Sequence, residues 1–212
     1  MASSSFSMQI TLLLSFLSVF TNCLSARAGD PDISSDFLIP PDLTESDIDG
    51  SFFTYSGLHR VIGTSVSKFT LTRVSKTEFP ALDGQSVSMS VLQFPAGGVN
   101  PPHIHPRAAE LLFVIRSSLE VGFVDTTNKL YTQTLLANEL FVFPKGMVHY
   151  QYNSNPYSAA TAISAFGSAN AGTASIPASL FSSNIEDPIL ARSFRTDVVT
   201  IQRIKAGLAN QA

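Results

Sequence analysis

The central part of the chain is predicted to be a succession of short β-strands, and this pattern restricts it to an all-β fold. Between residues 54 and 166, short runs of β-branched and aromatic residues are separated by turn-forming residues. Turns are predicted at Asp83-Gly84, at 126–128 and at 144–146. Eight such strands indicate a jelly-roll β-barrel or β-sandwich. They span 68–74, 86–94, 111–116, 119–125, 129–136, 140–143, 149–152 and 160–166.

The regions on either side of the strands have a different composition. Residues 29–53 are rich in Asp, Pro and Ser without any period, so we expect an extended arm that is ordered only by contact with something else. After 169, Asp187 and Pro188 are a plausible helix cap and first helical residue. From 197 to 208 an apolar stripe predicts a helix docked on the barrel or on a neighbouring subunit; it comprises Val198, Ile201, Ile204, Lys205 and Leu208.

Residues 1–28 have the pattern of a secretory signal. The apolar run at 10–20 is too short to span a bilayer, and Ala26-Arg27-Ala28 is a cleavage motif. We therefore expect an exported, soluble protein, since no other apolar run is long enough to span a membrane. The single cysteine, Cys23, lies in this segment, so the mature protein has no disulfide. Four regions are expected: a signal peptide (1–28), an N-terminal arm (29–53), a barrel (54–168) and a C-terminal helical extension (169–212).

Charge and composition narrow the classes of partner. The formal net charge is −3 and there is no basic patch, which argues against nucleic acid. Charged residues make up 14% of the chain, and there are 16 phenylalanines. Few charges with many aromatic residues favour buried contacts between subunits, and thus a homo-oligomer.

Four side chains with metal-ligand chemistry lie in two of the predicted turn and strand regions. His103 and His105 form a His-x-His pair, Glu110 follows closely, and His149 begins a later strand. Side chains alternate along extended backbone, so the paired imidazoles point to one face. Three nitrogens and one oxygen suit Mn²⁺ or Fe²⁺, although Zn²⁺ and Cu²⁺ bind such sites with greater intrinsic affinity. The residues alone do not choose between manganese and iron.

The environment of Glu110 strengthens this interpretation. Leu112 and Val114 share its face of the strand, so the carboxylate points into an apolar interior where an unpaired charge is costly. Leu112, Val114 and Phe143 are themselves interpreted as ordinary core residues, because inward positions of small barrels are filled by side chains. His59 belongs to no such set and is assigned to a loop or an interface.

These motifs resemble the two sequence boxes of the cupins, and more closely those of plant germin-like proteins. Two glycines of the boxes are replaced, one by Ser117 and one by Asn138. The resemblance spans nearly all of the mature chain and includes the run from Gly97 to Arg107. The matching residues are Gly97, His103, His105 and Glu110 in the first box and Pro144, Gly146, His149 and Asn153 in the second.

The resemblance implies a secreted, manganese-binding protein of the apoplast or cell wall, commonly a hexamer built as a trimer of dimers. Its metal would meet a small anion or an oxygen species. Germins usually carry two cysteines near the mature N-terminus; Leu38 replaces the first and the second is absent, so the arm must be held by packing alone. Oxalate-oxidising germins hold substrate with two asparagines. Asn100 matches one, although it could instead be a turn residue before Pro101, and Ser90 replaces the other.

Two classes of function follow from the resemblance. The first is a manganese superoxide dismutase with a role in the cell wall or in defence, whose oxalate oxidase activity is weak or absent because Ser90 is too short to position oxalate. The second is a non-enzymatic apoplastic binding protein or a storage-type (nutrient reservoir) cupin, in which the metal is structural.

Overall fold

The computed structural model describes residues 29–209, so the predicted signal peptide lies outside the described residues. Residues 29–209 contain ten strands and three helices, and the helices follow the last strand. The strands are β1 (Thr70–Val74), β2 (Ser88–Phe94), β3 (Val99–Ile104), β4 (Glu110–Arg116), β5 (Ser118–Val124), β6 (Leu130–Leu136), β7 (Leu140–Phe143), β8 (Val148–Tyr152), β9 (Ala160–Phe166) and β10 (Ala174–Ser175). The helices are α1 (Ile176–Phe181), α2 (Asp187–Ser193) and α3 (Val198–Ala209), with 3₁₀ turns at Glu45–Asp47 and Pro80–Leu82.

The strands form two five-stranded antiparallel sheets. One has the order β1-β2-β9-β4-β7 and the other the order β10-β3-β8-β5-β6. The predicted all-β jelly-roll with C-terminal helices is consistent with this arrangement, but the prediction of a closed barrel is wrong. Within residues 29–209, no ladder of hydrogen bonds joins an edge strand of one sheet to an edge strand of the other. The sheets therefore pack face to face.

Each of the eight predicted strands overlaps an observed one, whereas β3 and the two-residue β10 were not predicted. Pro101 and Pro102 lie inside β3 and lack the N–H group that a ladder requires, which weakens the sequence signal for a strand. The structure accommodates them with a shift of register against β8 between Asn100 and His103. On its other side β3 pairs with β10 only at His103 and Ile104. The prolines therefore occupy positions where no ladder donor is needed.

The apolar core fills one half of the space between the sheets. Alternate residues of each strand point inward, as the two-residue period of a strand requires. Leu112, Val114 and Phe143 belong to this core, as predicted. Its other buried members are Leu92, Phe94, Leu119, Val121, Leu135, Ala160 and Ala162. Towards the opposite end of the sheets most buried positions are polar, and they include Ser88, Ser90, Gln151 and Ser164.

The C-terminal helices form a small hairpin with its own apolar cluster. The predicted cap of α2, Asp187, is instead its first residue, and Glu186 occupies the cap position. The Asp187 carboxylate lies 2.6 Å from Lys205 Nζ and thereby links α2 to α3. Ile201 of α3 is fully buried against α2, but Ile204 is 39% exposed, so the docked stripe is narrower than predicted. No helix within residues 29–209 is long and apolar enough to cross a membrane.

The N-terminal arm is attached by hydrogen bonds as well as by packing. Asp30 Oδ1 accepts a bond from Ser168 Oγ at 2.7 Å, and Asp30 Oδ2 accepts one from the Ala169 N–H at 2.6 Å. Gln85 Nε2 donates to the backbone carbonyl of Asp36. The expectation of packing alone is therefore wrong, because one carboxylate fixes the start of the arm to the segment that follows β9.

Replacement of Asp30 should measure the strength of this attachment. Hydrogen bonds to a charged group contribute about 2 kcal/mol, so we expect Asp30→Ala to lower the melting temperature by about 5 °C. The control is Asp42→Ala, which removes an exposed carboxylate of the same arm. Differential scanning calorimetry of both variants tests this attachment, and equal melting temperatures would contradict it.

Candidate metal centre

The four predicted ligand residues lie together between the sheets, next to the apolar core. His103 on β3 is the cross-strand partner of His149 on β8, and His105 follows at the end of β3. Glu110 begins β4 in the facing sheet. None of the four is more than 6% exposed, and their ligand atoms all lie within 4.8 Å of one another.

Backbone carbonyls orient the three imidazoles. The Nδ1 atom of His103 lies 2.8 Å from the carbonyl oxygen of Pro101, and that of His149 lies 2.8 Å from the carbonyl oxygen of Met147. His105 Nδ1 contacts the carbonyl oxygen of Gly172. A carbonyl oxygen only accepts hydrogen bonds, so each Nδ1 carries the proton. In the neutral rings the Nε2 lone pairs are then free to bind a metal.

The two oxygens of the Glu110 carboxylate have separate roles. Oε1 accepts hydrogen bonds from Ser164 Oγ on β9 and, at 3.1 Å, from Gln151 Nε2 on β8. Oε2 lies 3.0 Å from Nε2 of His105 and 3.0 Å from Nε2 of His149. The carboxylate is thus held in place by one oxygen and presents the other to the histidines.

This arrangement fits a bound cation. Two unprotonated Nε2 atoms that face one carboxylate oxygen bring lone pairs together, and such a contact needs a shared positive charge. Ligands at right angles about an ion, each about 2.1 Å away, lie about 3 Å apart. The observed separations of 3.0 Å match that spacing. The set of donor atoms and their distances therefore suit a divalent metal.

The protonation states favour the same chemistry. Burial, together with the neighbouring His149, lowers the pKa of His103 to about 4. Burial alone would raise the pKa of Glu110, but the hydrogen bonds that Ser164 and Gln151 donate to its Oε1 favour the charged form and act in the opposite direction. Near neutral pH, His103 is therefore an uncharged donor and Glu110 a carboxylate, which are the forms that bind metals.

A turn of defined geometry positions His149. Met147 N–H donates to the carbonyl of Pro144, and Gly146 between them has a φ of +75°. A turn with positive φ at its third residue favours glycine there. The Pro-Lys-Gly sequence therefore places Met147 so that its carbonyl meets the His149 ring.

Three supporting residues were not predicted. Gln151 lies two residues beyond His149 and Ser164 occupies an inward position of β9, so the two-residue strand period could have revealed both. Gly172 could not have been found in this way because it is 67 residues from His105 in the chain. Its φ of +71° is a backbone conformation that favours glycine.

A cavity of about 270 Å³ extends from three of the four residues to the protein surface. Asn100 and Ser90 both line it, and His103, His105 and Glu110 lie at its inner end. Asn100 lies within β3 and is not a turn residue, and its Nδ2 donates to Gln151 Oε1 at 2.6 Å. His59 is exposed in the turn region before β1 and takes no part in this site.

Aromatic rings close the other sides of the site. Phe143 stacks on the His149 ring with centroids 4.5 Å apart, and Phe166 meets His105 edge-on at 4.7 Å. Phe143 thus has a second role beyond the core, since it limits the movement of one imidazole. The site is therefore open on the side of the cavity.

Comparison with known proteins agrees with the fold and the site. The cupin family profile matches residues 64–202. Germin-like protein 9-3 of Oryza sativa subsp. japonica is 52% identical over 204 residues, which cover 93% of this chain and 95% of that protein. Germin-like protein subfamily 2 member 2 of Arabidopsis thaliana is 36% identical over 207 residues, covering 88% and 91% of the two chains. The chain therefore belongs to the cupin family, and within it to the germin-like proteins.

A solved structure supports the same assignment. An oxalate oxidase in complex with the substrate analogue glycolate superimposes with a TM-score of 0.79 at 31% identity. The match covers 86% of this chain and 100% of the oxidase chain. The resemblance to germin-like proteins in the two boxes is thus confirmed.

The support given to Glu110 can be tested through metal affinity. Loss of a hydrogen bond to a ligating carboxylate typically weakens metal binding by about 10-fold or more, so we expect that effect from Ser164→Ala. The matched control is Ser154→Ala, because Ser154 is exposed in the loop after β8. Competitive titration against a metallochromic indicator provides the affinities. Equal affinities for the two variants would show that Ser164 does not orient Glu110.

Proposed function

We propose that His103, His105, Glu110 and His149 bind a manganese ion and that the protein is a secreted germin-like superoxide dismutase of the apoplast or cell wall. The observation that carries this proposal is the convergence of three Nε2 atoms and Glu110 Oε2 at the inner end of a cavity that reaches the surface. A buried set of ligand atoms that is reached through an open cavity suits the exchange of a small anion or oxygen species with solvent. The choice of Mn²⁺ over Fe²⁺ rests on the germin-like relatives, since the donor set suits both ions.

Superoxide dismutation requires few specific contacts between the cavity and the substrate. Two superoxide anions and two protons yield dioxygen and hydrogen peroxide, and a bound manganese ion would supply the one-electron redox chemistry. The residues of this chain keep the site rigid: carbonyls fix the three rings, and Ser164 and Gln151 fix Glu110. Protons can enter from solvent along the cavity, whose hydroxyl groups include Ser88 and Thr77.

Oxalate oxidase activity is expected to be weak or absent. A dianion must be held in register at the metal, and misplacement by about 1 Å can cost about 100-fold in rate. Ser90 lines the cavity but carries only a short hydroxyl group, and the Asn100 amide N–H already donates to Gln151. Asn100 remains the candidate substrate-binding residue, through its amide group at the wall of the cavity.

A second candidate function is non-enzymatic. His103 and His149 belong to one sheet and Glu110 to the other, so a metal bound by all of them would cross-link the two sheets. This arrangement favours a structural metal in an apoplastic binding protein or a storage-type cupin. Under this alternative the ion stabilises the fold, and no reaction is catalysed in the cavity.

We also propose a homohexamer built as a trimer of dimers. The outer face of β4 and β7 carries Leu111, Leu140 and Val142, which are 46%, 58% and 55% exposed. Apolar side chains grouped in this way are typical of subunit contacts. The proposal of export rests on the signal-like residues 1–28 of the sequence.

Removal of one ligand distinguishes the catalytic from the structural role. We expect His103→Ala to lose superoxide dismutase activity by at least about 100-fold while keeping a folded oligomer, because the ring supplies one metal bond and makes a single carbonyl contact. His59→Ala, which alters an exposed histidine, serves as the control. Activity is measured on protein reconstituted with Mn²⁺, with free Mn²⁺ as the reference, beside circular dichroism and light scattering.

The possible results separate the two functions. Wild-type protein with no activity above free Mn²⁺ would refute the dismutase. A collapse of the folded oligomer in His103→Ala would favour the structural metal. Metal analysis and electron paramagnetic resonance of native protein identify the ion.

Ser90 provides a test of the oxalate interpretation. We expect Ser90→Asn to raise oxalate turnover by about 10-fold or more, because an amide at this wall could position the dianion. Peroxide release from oxalate is measured for the variant and for wild type at equal manganese content. Stoichiometric peroxide production by wild-type protein would contradict the assignment.

A further inference from the structure

We propose that Arg73 forms an anion-binding subsite at the mouth of the metal cavity. The cavity then takes an organic acid with two carboxylates separated by a short carbon chain. One carboxylate would lie at the metal and the other on the Arg73 guanidinium. The inference rests on the proposed function for the metal end of the ligand.

The register of the sheet places Arg73 in line with the site. Arg73 on β1 is directly opposite Ser90 on β2, and Ser90 is directly opposite Ser164 on β9. Residues that are directly opposite in antiparallel strands project from the same face of the sheet. The three side chains therefore form one row across the sheet, and Ser164 at its inner end contacts Glu110.

The row lines the cavity from its mouth to its inner end. Arg73 is exposed, Ser90 is buried, and both line the cavity together with His103, His105 and Glu110. The small Ser90 side chain leaves the space between Arg73 and the metal site open. A longer side chain at that position would lie directly between them.

Within residues 29–209, the Arg73 guanidinium is not bonded to another side chain, although it interacts weakly with the charge of Glu78. No hydrogen bond or ion pair to it occurs in this part of the chain. Glu78, which also lines the cavity, uses its Oε2 to accept bonds from the Ser75 N–H at 2.9 Å and from Ser75 Oγ at 2.6 Å. The pKa of Glu78 is lowered mainly by the Ser75 hydroxyl and to a smaller extent by the charge of Arg73, so that charge acts at the same rim.

Distance favours a ligand with two separated carboxylates. Arg73 lies on β1 and Glu110 on β4, three strand spacings apart in the sheet, which corresponds to about 14 Å between backbones. The Arg73 side chain covers part of this separation, and a ligand with a carbon chain between its carboxylates covers more of the remainder than oxalate does. A guanidinium binds a carboxylate through two parallel hydrogen bonds, whereas the cavity hydroxyls supply neutral contacts between the two ends.

The test compares anions on protein whose manganese content has been measured. Isothermal titration calorimetry is carried out with succinate, oxalate and acetate on wild type, Arg73→Gln and the control Arg116→Gln. Arg116 lies at the opposite end of β4 from Glu110 and away from the cavity. We expect wild type and Arg116→Gln to bind succinate more tightly than acetate or oxalate. Arg73→Gln should lose about 10-fold in affinity for succinate and little for acetate.

The outcomes distinguish a failure of the Arg73 subsite from a failure of the proposed metal-binding function. Metal-loaded Arg73→Gln that binds succinate as wild type does, or wild type that does not prefer succinate, would overturn the subsite. Protein that loads no metal would overturn the proposed function. If metal-free wild type still binds succinate more tightly than metal-free Arg73→Gln, the anion site at the cavity mouth is retained. If the two bind succinate equally, this site is refuted as well. Unchanged melting temperatures ensure that the variants are folded.

Discussion

The Glu110 carboxylate is the contact on which the rest of this structure depends. It belongs to one sheet, yet its Oε2 meets two imidazoles, and the cross-strand pair His103 and His149 lies on the other sheet. A charge buried this deeply is tolerated only because Oε1 accepts two hydrogen bonds and Oε2 faces the cation site. The same carboxylate therefore joins the sheets, defines the polar half of their interface and creates the metal centre.

One side of this centre holds the ligand side chains in place, and the other side gives small molecules access to it. Carbonyl oxygens and aromatic rings fix the imidazoles on the inner side, whereas the cavity with Ser90 and Asn100 opens to the surface. The ligand set is therefore preorganised, and the choice of reactant is left to side chains that bind no metal.

Much of the fold and the centre was predictable because its signals are local. The two-residue strand period indicated eight strands, and His-x-His with Glu110 and His149 indicated the donor set. Strand β3 escaped prediction because Pro101 and Pro102 mask a strand that is tolerated only through a shifted register. Barrel closure was wrongly expected, since strand patterns specify pairing partners poorly and say little about whether two edges meet. The attachment of the arm by Asp30 was missed for lack of any local signal.

By itself the sequence determined the strand segments, the chemical type of the metal donors and the family boxes, because each is encoded within a few neighbouring residues. Only the tertiary structure decided what surrounds them. It brought the Gly172 carbonyl to His105 across 67 residues, placed Arg73 opposite Ser90 and set Asp30 against Ser168. These contacts depend on strand register and on the packing of distant segments, and local composition encodes neither.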